Sequence, residues 1–251
     1  MKNKFDAILP CRMTSTRLYG KPLQYIDIKN KITIIEYLVN YLKTSKYLDK
    51  VIIAIADSKG NDILAEYAMK NNWEFIFGDE IDMLGRMIKA ADQYGSNTII
   101  QGSTESPFMY YNNIDEVFKM HIENDFDFSK TDYLPDGAGY AFFKTDALRV
   151  SHKKGNSRHR SELVSSYIFD NPNEFKINSV SPNKKLKRSD IRITVDYPED
   201  LVFCRKIYTN LNGEKDLVEM SDIIDYWDNN CNLRKDVEEI GVDWGHGRLW
   251  D

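Results

Sequence analysis

Apolar runs and stretches of helical period alternate along the first half of the chain. Residues 6–10 (DAILP) follow a charged start and predict a short buried strand. Residues 51–56 (VIIAIA), 73–77 (WEFIF) and 98–101 (TIIQ) predict three more. Between and after them, 32–42, 62–71, 82–94 and 113–124 carry apolar residues at helical spacing, and Asp82 is placed to cap the third of these helices. Strand and helix thus alternate about every twenty residues, the rhythm of parallel strands joined by crossover helices. The pattern predicts a three-layer α/β sandwich around a mainly parallel sheet.

The second half is less regular. Residues 140–144 (YAFFK) and 175–180 (FKINSV) predict strands, and 162–169 (ELVSSYIF) a short helix. Residues 191–195 (IRITV) alternate like a strand and lead into Asp196-Tyr197-Pro198-Glu199-Asp200, after which 199–209 looks helical. No internal repeat or low-complexity linker divides the chain. We read 1–251 as one domain, with 125–190 as an insertion or flap on the main sheet.

The composition narrows the class. In 251 residues, 42% are hydrophobic and 29% charged, a globular mixture that excludes disorder and fibrous repeats. The net charge of -5 argues against non-specific nucleic-acid binding, while leaving room for a local basic cleft. No apolar run approaches bilayer-spanning length, and Asp6 interrupts the segment that a secretory signal would need, so no membrane role and a cytoplasmic protein are expected. The three cysteines, Cys11, Cys204 and Cys231, form neither a disulfide framework nor a zinc pattern. Histidines 121, 152, 159 and 246 have no metal-ligand spacing. The basic runs at 153–154, 158–160 and 184–188 read as solvated faces or as the border of an anionic acceptor's site. The aromatic and glycine-rich segment 244–250 would pack on the body or on a partner chain.

In an open parallel sheet, ligands sit beyond the carboxyl ends of the strands. The loop after the first strand holds Arg12, Ser15, Thr16, Arg17 and Lys21. Three cations and two hydroxyls suit a polyphosphate: guanidinium forks chelate its oxygens and the ammonium acts as a point charge. The same composition suits a solvated basic loop, and composition alone does not separate the two. It is not a Walker loop, because Gly20-Lys21 is followed by Pro22 and the earlier glycine position is Ser15; nor is it a dinucleotide fingerprint, which makes a dehydrogenase a poor reading. The loops after 98–101 and 191–195 each offer one carboxylate, Glu105 and Asp196. Converging on a triphosphate, they would hold Mg²⁺, a hard ion that prefers oxygen ligands. Taken singly, Asp196 could cap the following helix and Glu105 could simply be exposed.

In order, these pieces resemble a known family. Residues 10–23 (PCRMTSTRLYGKPL) look like A-R-x-G-S-x-R-L-P-G-K-x-L, the signature of cytidylyltransferases related to CMP-Kdo and CMP-sialate synthetases, especially the spore-coat polysaccharide branch. Residues 78–86 (GDEIDMLGR) resemble that branch's G-x-x-x-D-V-L-x-R; Ser103-Thr104-Glu105-Ser106-Pro107 stands where it has T-G-D-C-P; Pro135-Asp136-Gly137 matches its P-D-G turn; and residues 191–201 (IRITVDYPEDL) match L-R-L-T-V-D-x-P-E-D-L. The resemblance implies a Rossmann-like fold, a homodimer formed through 125–190, and transfer of a nucleotidyl group, usually cytidylyl from CTP, to an acidic sugar or other small anionic acceptor for a surface polysaccharide. It implies a nucleotide site at Pro10, Arg12, Ser15, Arg17, Lys21, Arg86 and Gln101, with Arg12, Arg17 and Lys21 acting on the phosphates and Mg²⁺ on Glu105 and Asp196. Several positions depart from the pattern: Thr14 replaces a glycine, Tyr19 a proline, Glu105 an aspartate and Gln101 an arginine, and Ser161-Glu162-Leu163 stands where the branch has R-E-H. These departures support a second reading, a nucleotide-binding relative without catalysis that serves as a partner in a glycan pathway.

Overall fold

The computed structural model describes residues 3–230; Cys231 and the segment 244–250 lie outside them. In chain order it runs β1 (Phe5–Cys11), a small hairpin of β2 (Tyr25–Asp27) and β3 (Ile32–Thr33), α1 (Ile34–Leu42), β4 (Leu48–Ala56), α2 (Asp62–Lys70), β5 (Glu74–Gly78), α3 (Met83–Tyr94), β6 (Thr98–Gly102) and α4 (Ile114–Glu123). Then come β7 (Phe128–Thr131), β8 (Tyr140–Lys144), α5 (Thr145–Lys154), α6 (Ser166–Asp170), β9 (Ile177–Val180), α7 (Pro198–Asn210) and α8 (Met220–Asn229).

Seven strands form the main sheet in the order β5-β4-β1-β6-β8-β7-β9. Only β8 runs against its neighbours; every other adjacent pair is parallel. Side chains along a strand alternate between faces. Ala7, Leu9, Ile53, Ile55, Ile100 and Phe142 therefore fill one apolar layer with residues of α1, α4, α7 and α8, while Ile8, Ile52, Ala54, Ile99 and Phe143 fill the other with Leu84, Met87 and Ala90 of α3. The expected α/β sandwich is present.

The chain passes from β1 outward to β4 and β5, then crosses back to place β6 on β1's other side. Such a reversal opens a crevice beyond the carboxyl ends of the two strands that flank it. The loops leaving β1 and β6 begin there, and they carry Arg12 and Glu105 respectively.

Local signals explain most boundaries. Helix α1 starts at Ile34 rather than at 32 because Thr33 Oγ1 accepts from Glu36 N at 3.2 Å and a Glu36 carboxylate oxygen accepts from Thr33 N at 3.5 Å, a reciprocal cap. Asp82 caps α3 as expected, accepting from Gly85 N at 2.7 Å. Three expectations change. Region 125–190 contributes β7, β8 and β9 to the main sheet, so it carries the sheet's far half. Helix 162–169 shortens to α6. Residues 191–195 join no strand of the sheet and make one isolated bridge, Asp136 to Arg192. Their alternation comes from burying Ile191, Ile193 and Val195 in the core, with the backbone paired to single residues: Ile193 N donates to Asp136 O and Val195 N to Glu105 O, both at 2.9 Å.

Candidate active site

The loop leaving β1 is shaped by its own backbone. Gly20 N donates to Met13 O at 2.8 Å, closing the loop on itself, and Met13 N donates to Asn61 Oδ1 at 2.8 Å. Asn61 is fully buried and bonds Ala56 O at the end of β4, so the loop is anchored to the neighbouring strand. Gly20 has φ of 65°, a backbone conformation that L side chains rarely adopt, so the turn favours glycine. The next residue, Lys21, points inward and is 3% exposed.

The Lys21 ammonium is held by two carboxylates from distant segments. Nζ lies 2.9 Å from Glu105 Oε2 and 2.8 Å from Asp196 Oδ1. Arg17 Nη2 reaches the same Asp196 oxygen at 2.7 Å, and its guanidinium stacks over Tyr197. The other Asp196 oxygen, Oδ2, accepts from Arg192 Nη2 at 2.6 Å. Asp196 does not cap α7. Asp200 takes that role: its Oδ2 accepts from Asp196 N at 2.8 Å and Tyr197 N at 2.9 Å.

Charge follows from these partners. Burial pushes the Asp196 carboxyl up, but Lys21 and Arg192 outweigh it and hold Asp196 below the usual carboxylate range. Glu105 goes the other way: burial raises it, against the pull of Lys21, and the Asp196 charge adds to the rise. Cys11, beneath the loop, is pushed up to about 12 by burial and stays a thiol, which removes it as a nucleophile.

Above this cluster opens a cleft of about 400 Å³ lined by Arg12, Thr14, Ser15, Thr16, Arg17, Tyr19, Lys21, Glu105 and Glu162. The sequence-predicted residues thus divide. Arg12, Ser15, Arg17, Lys21 and Glu105 face one cavity, with Asp196 in direct contact with two of them. Pro10, Arg86 and Gln101 do not line it. The Pro10 carbonyl accepts from Thr104 Oγ1 at 2.9 Å, tying the two strand ends together. Arg86 is buried under the loop after β5, and its Nη1 donates to Asp79 O at 2.8 Å. Burial, with Arg12 nearby, lowers its pKa. Gln101 lies half-buried on β6 with Oε1 lacking a partner.

The donor set suits a hard divalent cation. Two carboxylates already share one positive centre at ion-pair distance, and Mg²⁺ is commonly held by one or two carboxylates while water and phosphate fill its remaining positions. Among the described residues no group of three or more His, Cys, Asp or Glu could hold a metal ion by itself.

Arg192 and Asp200 were not expected to contribute. The signal for them was the spacing Arg192, Asp196, Asp200, which puts three charged groups four residues apart across a loop-to-helix junction. The P-D-G turn also belongs to the cluster's support. Asp136 N donates to Ile191 O at 2.8 Å, and a Cβ on Gly137, at φ of 97°, would meet Thr194 N at 2.9 Å.

Comparison with known proteins identifies the family. A family model described as Cytidylyltransferase matches residues 7–231. An uncharacterized protein of Methanocaldococcus jannaschii is 30% identical over 92% of this chain and 93% of its own length. The spore coat polysaccharide biosynthesis protein SpsF of Bacillus subtilis is 24% identical over 92% of this chain and 97% of its own. Among solved structures, a cytidylyltransferase from Leptospira borgpetersenii superposes with a TM-score of 0.81 at 22% identity, covering 92% of this chain and 97% of that one. CMP:2-keto-3-deoxy-manno-octonic acid synthetase, solved with CTP, gives 0.61 at 13% identity over 82% of this chain and 99% of that one. With nearly its whole length matched, the chain belongs to the cytidylyltransferase family and is an enzyme of the nucleotidyltransferase class.

Proposed function

We propose that this enzyme transfers CMP from CTP to a small anionic acceptor, with Mg²⁺ on Glu105 and Asp196, and that the product is an activated precursor of a surface polysaccharide. The observation that carries the reading is the Lys21 ammonium shared by Glu105 and Asp196 at 2.9 and 2.8 Å, beside a cleft lined with Arg12, Ser15 and Arg17. The name of the Bacillus subtilis relative supports the polysaccharide setting. We place the reaction in the cytoplasm, where nucleoside triphosphates are made.

In this reading an acceptor oxygen forms a bond to the α-phosphorus, the bond from that phosphorus to the α–β bridging oxygen breaks, and pyrophosphate leaves. The acceptor's proton, where it has one, passes to solvent. Negative charge builds on the equatorial oxygens and on the leaving group. Arg12, which makes no ion pair among the described residues, is free to meet the phosphates first. Arg17 and Lys21 then exchange Asp196 and Glu105 for phosphate oxygens. Bound Mg²⁺ supplies charge neutralisation and a template for in-line geometry. Ser15 adds a hydroxyl donor. Pro10 and Arg86, outside the cleft, brace the loops around it through Thr104 and Asp79, and Gln101 lies on the strand that leads to Glu105. No protein nucleophile is required.

Pyrophosphate release with CTP, Mg²⁺ and a panel of sugar acids and sugar phosphates tests the reading. Turnover with one of them is expected; no turnover together with no CTP binding contradicts it. The second reading, binding without catalysis, is favoured by Thr14, whose side chain lines the cleft where the family signature has glycine. CTP binding without turnover across the panel would select it. We also propose a homodimer through 125–190, where β9 ends the sheet with no further described strand beyond it. Light scattering should give twice the 29.3 kDa chain mass, and a monomer contradicts this part.

A further inference from the structure

Asp196 has its two oxygens turned to different tasks. Oδ1 meets Lys21 and Arg17, which line the cleft; Oδ2 meets the buried Arg192. Arg192 is 9% exposed, so its guanidinium acts from within the protein and not from the cleft. The same Nη2 that bonds Asp196 also reaches Asp200 Oδ2 at 3.1 Å, and Nη1 lies 3.8 Å from Asp136 Oδ2. One guanidinium nitrogen therefore ties the Asp196 carboxylate to Asp200 in the first turn of α7, while the other lies toward the P-D-G turn.

We propose that Arg192 is a positioning residue that locks the rotation of the Asp196 carboxylate, so that a single oxygen, Oδ1, is presented to the cation in the cleft. The inference rests on the reading above, in which that cation is a substrate-completed Mg²⁺.

Three observations support a positioning role over plain structural charge pairing. First, Arg192 makes its shorter contact, 2.6 Å, with the Asp196 oxygen that neither Lys21 nor Arg17 uses, and its longer one, 3.1 Å, with Asp200. Second, without Arg192 both Asp196 oxygens would be available to Arg17 and Lys21, and the carboxylate could turn to take them bidentately, as guanidinium and carboxylate prefer. Third, the buried Asp200 carboxylate accepts from the Asp196 backbone N–H, which brings two negative groups together. One guanidinium nitrogen, Nη2, reaches both, so the Asp196 carboxylate is held at a fixed place relative to the start of α7.

The expected consequence is specific. Groups that orient a metal-binding carboxylate typically change metal affinity by about 10–100-fold when removed. The test is Mn²⁺ binding by electron paramagnetic resonance, with CTP present, in the full-length wild type and in Arg192→Met and Arg192→Lys. Metal-free CTP binding and thermal melting are measured beside it. For Arg192→Met the inference expects Mn²⁺ affinity to fall about 10–100-fold, while metal-free CTP affinity changes less than about twofold. Arg192→Lys should recover part of that loss, because it restores the charge without the fork. A folded Arg192→Met that binds Mn²⁺ as the wild type does overturns the inference. So does a folded Arg192→Lys that is indistinguishable from wild type if the methionine variant fails to fold. A wild type that binds no Mn²⁺ with CTP overturns the underlying reading and this inference with it, and that outcome is seen before any variant is made.

Discussion

Two sets of ion pairs in this molecule use the same residue types in different ways. On the surface of the second half, Lys185 pairs with Asp225, Arg188 with Asp190 and Asp228, and Lys154 with Glu174, mostly between side chains in water. At the cleft, Lys21 is 3% exposed and serves two carboxylates, while Asp196 serves Lys21, Arg17 and Arg192. The surface runs are conspicuous in sequence because their charges are contiguous. The cleft cluster is inconspicuous, because its members come from separate segments. Density of charge along a chain reports on a solvated face. Convergence in space, with one cation shared, reports on a site, because buried charge without shared partners is costly.

Breaking the shared cation should have the largest effect. Replacing Lys21 with methionine leaves Glu105 and Asp196 facing each other and removes a phosphate contact. Activity in the pyrophosphate assay should fall by about 10²–10³-fold, the range seen when one preorganised electrostatic group is removed. A loss below tenfold would demote Lys21 to an ordinary ion pair.

The framework beneath the cluster comes next. Gly137→Ala forces an L side chain into φ of 97° and against Thr194 N and Ser106 Oγ. Overpacking and backbone strain together should cost about 2–4 kcal/mol, read as a lower denaturation midpoint. Since Asp136 O accepts from Ile193 N, Mn²⁺ binding should weaken along with stability. A stable variant with unchanged binding would show the turn to be independent of the site.

A buried group without an ion-pair partner offers a contrast with the cleft. His121 is fully buried on α4, with Nδ1 on Ser129 Oγ at 2.9 Å and Nε2 unpartnered. Burial, with Lys144 nearby, lowers its pKa from 6.5 to about 4. The folded protein thus prefers the neutral ring. Its contribution is full above pH 6.5 and is lost as pH falls from there toward 4. About 3 kcal/mol is at stake, since each tenfold change in proton affinity is worth about 1.4 kcal/mol. Chemical denaturation at stepped pH should show this slope in wild type and not in His121→Gln; equal slopes would assign acid sensitivity elsewhere.

The smallest effect should be on the surface. Lys185→Ala removes an exposed pair with Asp225 and should change stability by less than about 0.5 kcal/mol, with no change in nucleotide binding. A large change in either would erase the distinction between the two sets of pairs.

Much of the first half was legible because crossover geometry imposes a repeated rhythm: β1, β4, β5 and β6 all fall within a few residues of their apolar runs. Short or polar elements were not. Strand β7 reads Phe-Ser-Lys-Thr, yet Ser129 is fully buried and Lys130 only 7% exposed, so burial there is decided by partners such as Asp132 and the Phe169 ring. Helix α5 (TDALRVSHKK) is too polar to advertise its period, and β2 and β3 are too short to have one. Residues 191–195 show the converse failure: a strand-like alternation that meets core, not sheet, because period-2 burial needs only an extended chain. At the site, strand-end logic brought Arg12, Arg17, Lys21, Glu105 and Asp196 under suspicion. Asp196's helix-capping alternative falls only because Asp200 takes both backbone donors in the folded chain. Arg192 lies inside a family motif, but its task emerges only where folding brings its two carboxylates together.

The most direct test is a crystal grown with CTP and Mn²⁺, with diffraction recorded at the manganese edge. The account predicts one anomalous peak between the Glu105 and Asp196 carboxylates, with the triphosphate on Arg12, Arg17 and Lys21 and the Lys21 ammonium turned from carboxylate to phosphate. Nucleotide bound with no metal at those two carboxylates, or bound away from the loop that follows β1, would contradict it.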